Sequence, residues 1–287
     1  MKTRAAAGLW LACDDMELSA LKVISEQLAP FADPIRQCYE AGVLAPTLPA
    51  RRLGEPDVTL AAPFLKRSLN DLRATWLLLL RGYTSSAAAV AASLFEHSLA
   101  VVAITDSPEN LAAFSAAPDG DVPWTPKELS QILAGRWRRK EVEPEVGPPL
   151  DDYELAWRES YGAYRWLCKI KHPTLSSTLH DTRATLQEPG EYVVMASPDI
   201  RQANVAVKTM ILGTSINHTR EAIFAFAEAL ECDQTTELYA EFDSLMSSVM
   251  SEILRHLKNS PPATLPFTLA SSKLGRELRE LSRKFDV

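Results

Sequence analysis

The 287-residue chain has the composition of a folded globular protein, with 46% hydrophobic and 23% charged residues. Its formal charge of −7 at neutral pH excludes a broadly basic surface that coats polyanions, but it leaves room for a local basic groove. Short basic stretches at residues 136–140, 165–171 and 273–284 are candidates for such a groove. Each of them also fits an ordinary solvated helix face.

Leu and Ala dominate the sequence, whereas only 11 residues are Gly. Ala and Leu lose little on entering a helix and Gly loses most, so this composition favours helices. Segments with the period-two alternation of strands are nearly absent, and residues 191–195 are the one plausible extended segment. The sequence therefore predicts an all-α protein, a multi-helix bundle with long antiparallel helices and at most one short extended segment.

The N-terminal region combines two predicted helices with an irregular connection. Asp14 or Asp15 can cap a first helix that ends near Leu28, and a second helix is predicted over residues 33–43. Pro and Gly residues interrupt residues 44–56 and predict an irregular connection there.

The first residues raise the question of export. Lys2 and Arg4 precede a short apolar run that ends at Cys13, which superficially resembles a lipoprotein signal. The run is short even for the core of a signal, and Trp10 stands where such a signal carries Leu. We therefore expect a cytoplasmic protein.

The middle of the chain holds two long predicted helices, over residues 62–80 and from Gly82 to about Thr105. The uncharged part of the second helix is too short to span a bilayer, so a buried helix is expected rather than a membrane anchor. Residues 85–93 carry only small side chains, which is typical of a helix in the middle of a bundle.

Glu96 and His97 follow that small-residue segment directly. If they are buried, each needs a partner, because an unpaired buried charge is costly. Both are candidate binding residues, although an exposed Glu and a satisfied core His fit the sequence equally.

Local signals mark several later helices. Ser107 starts a short helix, and Thr125 to Glu128 form a capping box that opens a helix to about Lys140. Residues 141–150 are acidic and Pro-rich, a loop or a linker. Further helices are predicted from Asp151 or Asp152 to Lys171 and over residues 176–186, 197–231, 235–257 and 271–284. We expect one compact unit made of N-terminal helices in 1–60, a main bundle in 61–257, and a loop with an amphipathic helix in 258–287.

The four cysteines predict free, reduced thiols. They lie far apart, at Cys13, Cys38, Cys168 and Cys232, and no Cys-x-x-Cys pair occurs. This spacing fits neither a disulfide framework nor a zinc site.

No cofactor or metal is predicted. His218 with Glu221, and Glu252 with His256, have helical spacings, but neither pair is the Glu-x-x-His pattern of di-iron bundles, since the first is reversed and the second has three intervening residues. Glycines are too dispersed for a phosphate-binding loop. His218, next to Asn217, is expected in a buried polar pair rather than in a site.

The helix that ends at Lys171 carries the most informative pattern. Trp157, Tyr161, Tyr164 and Cys168 fall on one stripe at helical spacing, which is most simply a core contact. Arg165 and His172 are seven residues apart and therefore point in nearly the same direction, beside Tyr161.

A cation, an imidazole and a phenol on one helix edge suit acid–base chemistry at a phosphate. A neutral imidazole can accept a proton near pH 7, and a guanidinium can hold a phosphate by two hydrogen bonds. His172 and Arg165, with Tyr161, are therefore the candidate catalytic residues for metal-independent RNA cleavage. Lys169 and Lys171 are candidate binding residues beside them. A His172 that caps the helix C-terminus and an Arg165 in a surface ion pair are the alternatives.

At these residues the chain resembles the bacterial HEPN-like superfamily, whose ribonuclease members carry Arg, then four to six intervening residues, and then His near the end of a helix. The matching segment is Arg165-Trp-Leu-Cys-Lys-Ile-Lys-His172, and the likeness extends over residues 62–257. It implies a homodimer whose His-bearing helices face each other and a role in toxin–antitoxin systems or phage defence. The residue after the motif's Arg is usually polar in active members, whereas Trp166 stands here.

Three hypotheses follow for function. The first is an HEPN-like protein that cleaves or binds RNA. The second is a non-catalytic scaffold for a protein partner such as an antitoxin, suggested by the acidic charge, Trp166 and the amphipathic tail. The third is a small-molecule binder with an aromatic pocket around Trp157, Tyr161 and Tyr164.

Overall fold

A computed structural model of the protein describes residues 2–140, 150–172 and 197–259, and nine α-helices make up most of this part of the chain. In chain order the helices are α1 (Lys2–Gln27), α2 (Ala32–Leu44), α3 (Pro56–Leu80), α4 (Thr84–Ile104), α5 (Pro108–Ala116), α6 (Pro126–Lys140), α7 (Leu150–Lys171), α8 (Val205–Ala229) and α9 (Glu237–Asn259). The all-α prediction is confirmed. Across these three ranges the only β-type pairing is an isolated bridge between Ala50 and Cys232.

Helix α4 lies at the centre of the bundle and contacts α3, α6, α7 and α8. Ala87, Ala88, Ala91 and Ala92 are all at most 1% exposed, as expected for a small-residue helix that allows close approach of its neighbours. A three-residue turn joins α3 to α4, which makes the two helices antiparallel neighbours.

The turn between α3 and α4 requires glycine. Gly82 has a φ of +82°, and a Cβ atom there would come within 2.7 Å of the Asp199 backbone nitrogen. That nitrogen donates a hydrogen bond of 3.0 Å to the Gly82 carbonyl, so the segment before α8 is tied to the turn. Any side chain at this position would therefore push residues 198–199, in the segment that leads into α8, away from the turn.

The composition of α4 alone is compatible with a membrane span. It is the one helix among the described residues that is long and apolar enough, but about 72% of its apolar window is buried inside the protein. The whole helix, with Glu96 included, thus reaches the length of a span although its uncharged part does not, and the expectation of a buried helix is confirmed.

Helix starts that depend on local capping agree with the sequence. The Ser107 hydroxyl accepts a hydrogen bond of 3.3 Å from the Asn110 backbone at the start of α5. In the capping box of α6, the Glu128 carboxylate accepts from the Thr125 backbone at 2.7 Å, and Thr125 Oγ1 accepts from the Glu128 backbone. Thr236 likewise caps α9.

Three helix starts were predicted wrongly. Helix α1 begins at Lys2 rather than near Asp14, because the Ala- and Leu-rich residues before Asp14 extend the helix. Helix α3 begins at Pro56 rather than at residue 62, because its first turn is buried at Val58 and Ala61.

The third wrong start is that of α8, which begins at Val205 and not near Ser197. The Asp199 carboxylate accepts hydrogen bonds from the Arg201 backbone at 3.0 Å and from its guanidinium. The buried Lys208 ammonium donates to the Asp199 carbonyl at 2.5 Å. These contacts hold residues 197–201 in a non-helical conformation.

Several predicted segments lie outside the described residues. They are the acidic connection at 141–149, the segments at 176–186 and 191–195, and the C-terminal helix at 271–284. All four cysteines lie in the described part, and none of them forms a disulfide.

Candidate functional site

Helix α7 packs against α4 and α6 along one side and leaves another side open. Its buried residues are Ser160, Trp166, Leu167 and Ile170. The predicted core stripe is therefore only partly in the core, because Trp157, Tyr161, Tyr164 and Cys168 are all half-buried. Trp166 is only 3% exposed, so it belongs to the packed side of α7 and not to its exposed edge.

The C-terminal half of α7 presents cationic side chains to solvent. Arg165, Lys169, Lys171 and His172 are all exposed. Helix α7 ends at Lys171, but the His172 backbone N–H still donates to the Cys168 carbonyl at 2.9 Å. The helical hydrogen-bond pattern thus continues from Arg165 to His172, which lie about 10 Å apart along the axis.

Tyr161 links Arg165 to the interior of the protein. The Arg165 guanidinium carbon lies 6.0 Å from the Tyr161 ring centroid, within the range of a cation–π contact. The Tyr161 ring stacks on Tyr164 with 6.3 Å between centroids. The Tyr164 hydroxyl donates a hydrogen bond of 2.6 Å to Glu96 on α4. Burial, and then this bond, raise the pKa of Tyr164.

Glu96 and His97 are consecutive on a helix and therefore point to different neighbours. Glu96 reaches α7, whereas His97 Nδ1 lies 2.8 Å from Asp71 Oδ2 on α3. Arg67 is the second ionic partner of Asp71, at 3.4 Å. Both residues are half-buried and both are paired, but only Glu96 is linked to the Arg165 edge.

The α7 edge is locally positive on an acidic protein. Within the described part of the chain, no carboxylate lies within ion-pair distance of Arg165, Lys169 or Lys171. Arg158, two turns before Arg165 on the same face of the helix, is instead paired with Glu154 at 2.7 Å. Arg165 and Lys169 lie about 40° apart around the helix axis and share one exposed edge, which forms a favourable site for a polyanion, whereas Lys171 lies about 120° from Arg165 and flanks this edge.

A buried serine–histidine pair behind α7 was not expected. His218 Nδ1 faces the Thr214 carbonyl at 2.8 Å, so Nδ1 carries the proton and Nε2 accepts from the Ser160 hydroxyl at 3.2 Å. His218 is 4% exposed and lies against the Phe95 ring, 4.6 Å between centroids. Burial lowers the pKa of His218 to about 4.

The prediction of a buried polar role for His218 is thus confirmed, but its side-chain partner is Ser160. The two residues are 58 positions apart, and no local spacing signals the contact. This pair is shielded from solvent and serves to join α7 to α8.

The described residues include no group of three or more His, Cys, Asp or Glu side chains arranged to hold a metal ion. Comparison of the chain with protein-family models, with curated proteins and with solved structures finds no match.

Proposed function

We propose that the exposed edge of α7 binds single-stranded RNA and that Arg165 and His172 cleave it without a metal ion, in the manner of HEPN-like ribonucleases. The observation that carries the proposal is the exposure of both side chains on one continuous helical hydrogen-bond pattern. A guanidinium held against an aromatic ring, with lysines alongside, suits a strand whose bases and phosphates are both accessible.

The chemistry follows from the two groups. The His172 imidazole removes the proton from a ribose 2′-hydroxyl, and the resulting oxygen attacks the adjacent phosphorus. The guanidinium of Arg165 holds the non-bridging oxygens and stabilises the charge that develops on them. The bond to the 5′-oxygen breaks, this oxygen takes a proton from solvent, and a 2′,3′-cyclic phosphate remains.

The test is cleavage of a labelled single-stranded RNA in the presence of a chelator. His172→Ala and Arg165→Ala should each lower the rate by about 100-fold or more, the usual range for a lost acid–base or charge-stabilising group. Arg36→Ala, which removes an exposed arginine of α2 that is paired with Asp33 and Glu40, is the matched control and should retain activity. Cleavage that survives His172→Ala, or that requires a divalent metal, would exclude the mechanism.

The HEPN-like resemblance also leads us to propose a homodimer in which the two α7 helices face each other. Sedimentation velocity of the full chain should then give twice the 31.7 kDa mass of one chain. A monomer that still cleaves RNA would show that cleavage does not require the dimer.

A second candidate function is a scaffold that binds a protein partner, and α1 favours it. Leu9, Trp10 and Leu11 are 60%, 74% and 62% exposed, an apolar group at one end of a long helix. In this case Trp10→Ser should abolish self-association or partner binding and leave RNA cleavage unchanged. Identical association of Trp10→Ser and the natural chain would count against a scaffold built on this surface.

A further inference from the structure

An open cleft of about 700 Å³ lies away from the α7 edge, between α5, α6 and the first turns of α7. Its walls include the rings of Trp124 and Tyr153, the carboxylates of Glu109 and Glu128, and the side-chain amides of Asn110 and Gln131. Tyr153 precedes His172 by 19 residues, roughly 28 Å along the helix. The cleft is therefore separate from the proposed RNA site.

The charge of the cleft is negative. Asp106 also lines it, but Arg139 and Arg136 pair with this carboxylate and compensate it. Glu109 and Glu128 have no basic partner within ion-pair distance in the described ranges. Three carboxylates and the single lining guanidinium of Arg139 leave a formal charge of −2.

Both free carboxylates are ionised at neutral pH. Hydrogen bonds from its own backbone N–H and from the Ser107 hydroxyl lower the pKa of Glu109. Hydrogen bonds from the Thr125 backbone N–H and hydroxyl lower the pKa of Glu128. These hydrogen bonds hold each carboxylate at the start of a helix. They do not neutralise its negative charge, which is available to a ligand.

The aromatic walls are fixed as well. The Trp124 ring stacks on the buried Phe114, 6.5 Å between centroids and 18° between planes, and both Trp124 and Tyr153 are half-buried. Indole and phenol faces attract cations, and most strongly those with apolar substituents that shed water easily. A wall of rings beside two carboxylates thus selects a positively charged group with an alkylated surface.

Gly135 keeps the cleft open. It lies in the middle of α6, where Ala would form a more stable helix. A Cβ added at Gly135 would meet only an Arg139 guanidinium nitrogen, at 3.5 Å, an ordinary contact distance. No close packing against the core therefore requires glycine, and a larger side chain would occupy the cleft.

We propose that this cleft binds a small organic cation, an alkylated ammonium ion, with Trp124 and Tyr153 against its alkyl groups and Glu109 and Glu128 against its charge.

The experiment compares choline with its uncharged isostere 3,3-dimethylbutan-1-ol, by saturation-transfer NMR and calorimetry on the full chain. Choline should bind at least about tenfold more tightly than the isostere, because the isostere has the same shape but lacks the positive charge that attracts the two carboxylates and the rings. Equal binding of the two compounds, or no choline binding at millimolar concentration, would overturn the proposal.

Variants locate the site. Gly135→Leu should abolish choline binding, whereas the smaller Gly135→Ala should retain part of it, and the melting temperature of each checks that the fold is intact. The double variant Glu109→Gln with Glu128→Gln should weaken binding at least about tenfold, and Gln at residue 128 still completes the capping box. Choline binding that Gly135→Leu leaves unchanged would place the ligand elsewhere and overturn the proposal.

The matched control removes two charges far from the cleft. Asp33→Asn with Glu40→Gln, two exposed carboxylates that pair with Arg36 on α2, should leave choline binding unchanged. An equal loss of binding in this control would show attraction to the acidic protein as a whole and not to the cleft.

Discussion

Helices α4 and α7 are of similar length, 21 and 22 residues, but different forces determine their sequences. Helix α4 is buried on nearly every side, and its alanines allow four other helices to approach it. Helix α7 is buried along one side only, and Arg165 and His172 on its open side are not required by packing. The sequence of a fully buried helix is thus determined by packing. On the exposed side of a half-buried helix, packing leaves the residues free to serve a function.

The largest expected effect tests the structural role of α4. Phe95→Ala should lower the free energy of unfolding by about 3–5 kcal/mol, because the ring is fully buried between Tyr164 and His218. Tyr161→Ala, on the half-buried side of α7, should cost about 1 kcal/mol or less. Urea unfolding of both variants measures the two changes in the free energy of unfolding. Equal changes would show that α4 and α7 do not differ in how much their side chains contribute to stability.

The second effect concerns the close approach of helices around α4. Ala88→Leu should destabilise the protein by about 3 kcal/mol, because residue 88 is fully buried and its neighbours leave no room. Ser86 is a small residue that is exposed on the same helix, so Ser86→Leu is the matched control and should be nearly neutral. Thermal unfolding compares them, and a neutral Ala88→Leu would mean that α4 is loosely packed.

These comparisons explain what the sequence could predict. Helix starts that depend on a neighbouring hydroxyl, such as Ser107 and Thr125, were found, because the interaction lies within four residues. The start of α8 was missed, because the contacts that keep residues 197–201 out of the helix include one from Asp199 to Gly82, which lies more than one hundred residues away. Long-range contacts of this kind leave no local pattern.

At the candidate site, too, local features could be predicted from the sequence and long-range contacts could not. The common edge of Arg165 and His172 follows from helical periodicity, and the structure shows both residues on it and exposed. The partner of Glu96 and the Ser160–His218 pair required knowledge of which helices are neighbours. Composition and spacing therefore identify which residues share an edge of a helix, but not which residues of neighbouring helices they contact.

The third prediction concerns how α7 is joined to α8. The pKa of His218 is about 4 in the folded protein and about 6.5 in the unfolded chain, so the unfolded chain binds more protons between these values. The stability from neutral His218 is fully present above pH 6.5 and is lost as the pH falls towards 4. By pH 5 the loss should reach about 2 kcal/mol.

Urea unfolding between pH 7 and 5 measures this dependence, and His218→Gln isolates it from other titrating groups. The variant should be less stable at pH 7, since it lacks the ring, but its stability should fall less steeply with acid. Parallel pH profiles for the two proteins would show that His218 is not the group that titrates.

The smallest effect on stability, and a direct test of RNA binding at α7, comes from three exposed cations in the C-terminal half of this helix. Replacement of Arg165, Lys169 and Lys171 together by Gln should change the free energy of unfolding by less than about 0.5 kcal/mol per site, because all three are exposed. If the edge binds single-stranded RNA, each cation releases about 0.7 counterions, so the slope of log affinity against log salt should decrease by about 2.

A matched triple variant separates the edge from general charge effects. Lys22, Lys66 and Arg73 are exposed on α1 and α3, and their joint replacement by Gln makes the same change in net charge. Loss of three cations at a distance weakens attraction to RNA uniformly but leaves the number of phosphate contacts unchanged, so the salt slope should stay that of the natural chain. Equal slopes for the two triple variants would mean that RNA does not contact α7, whatever the position of Arg165 and His172.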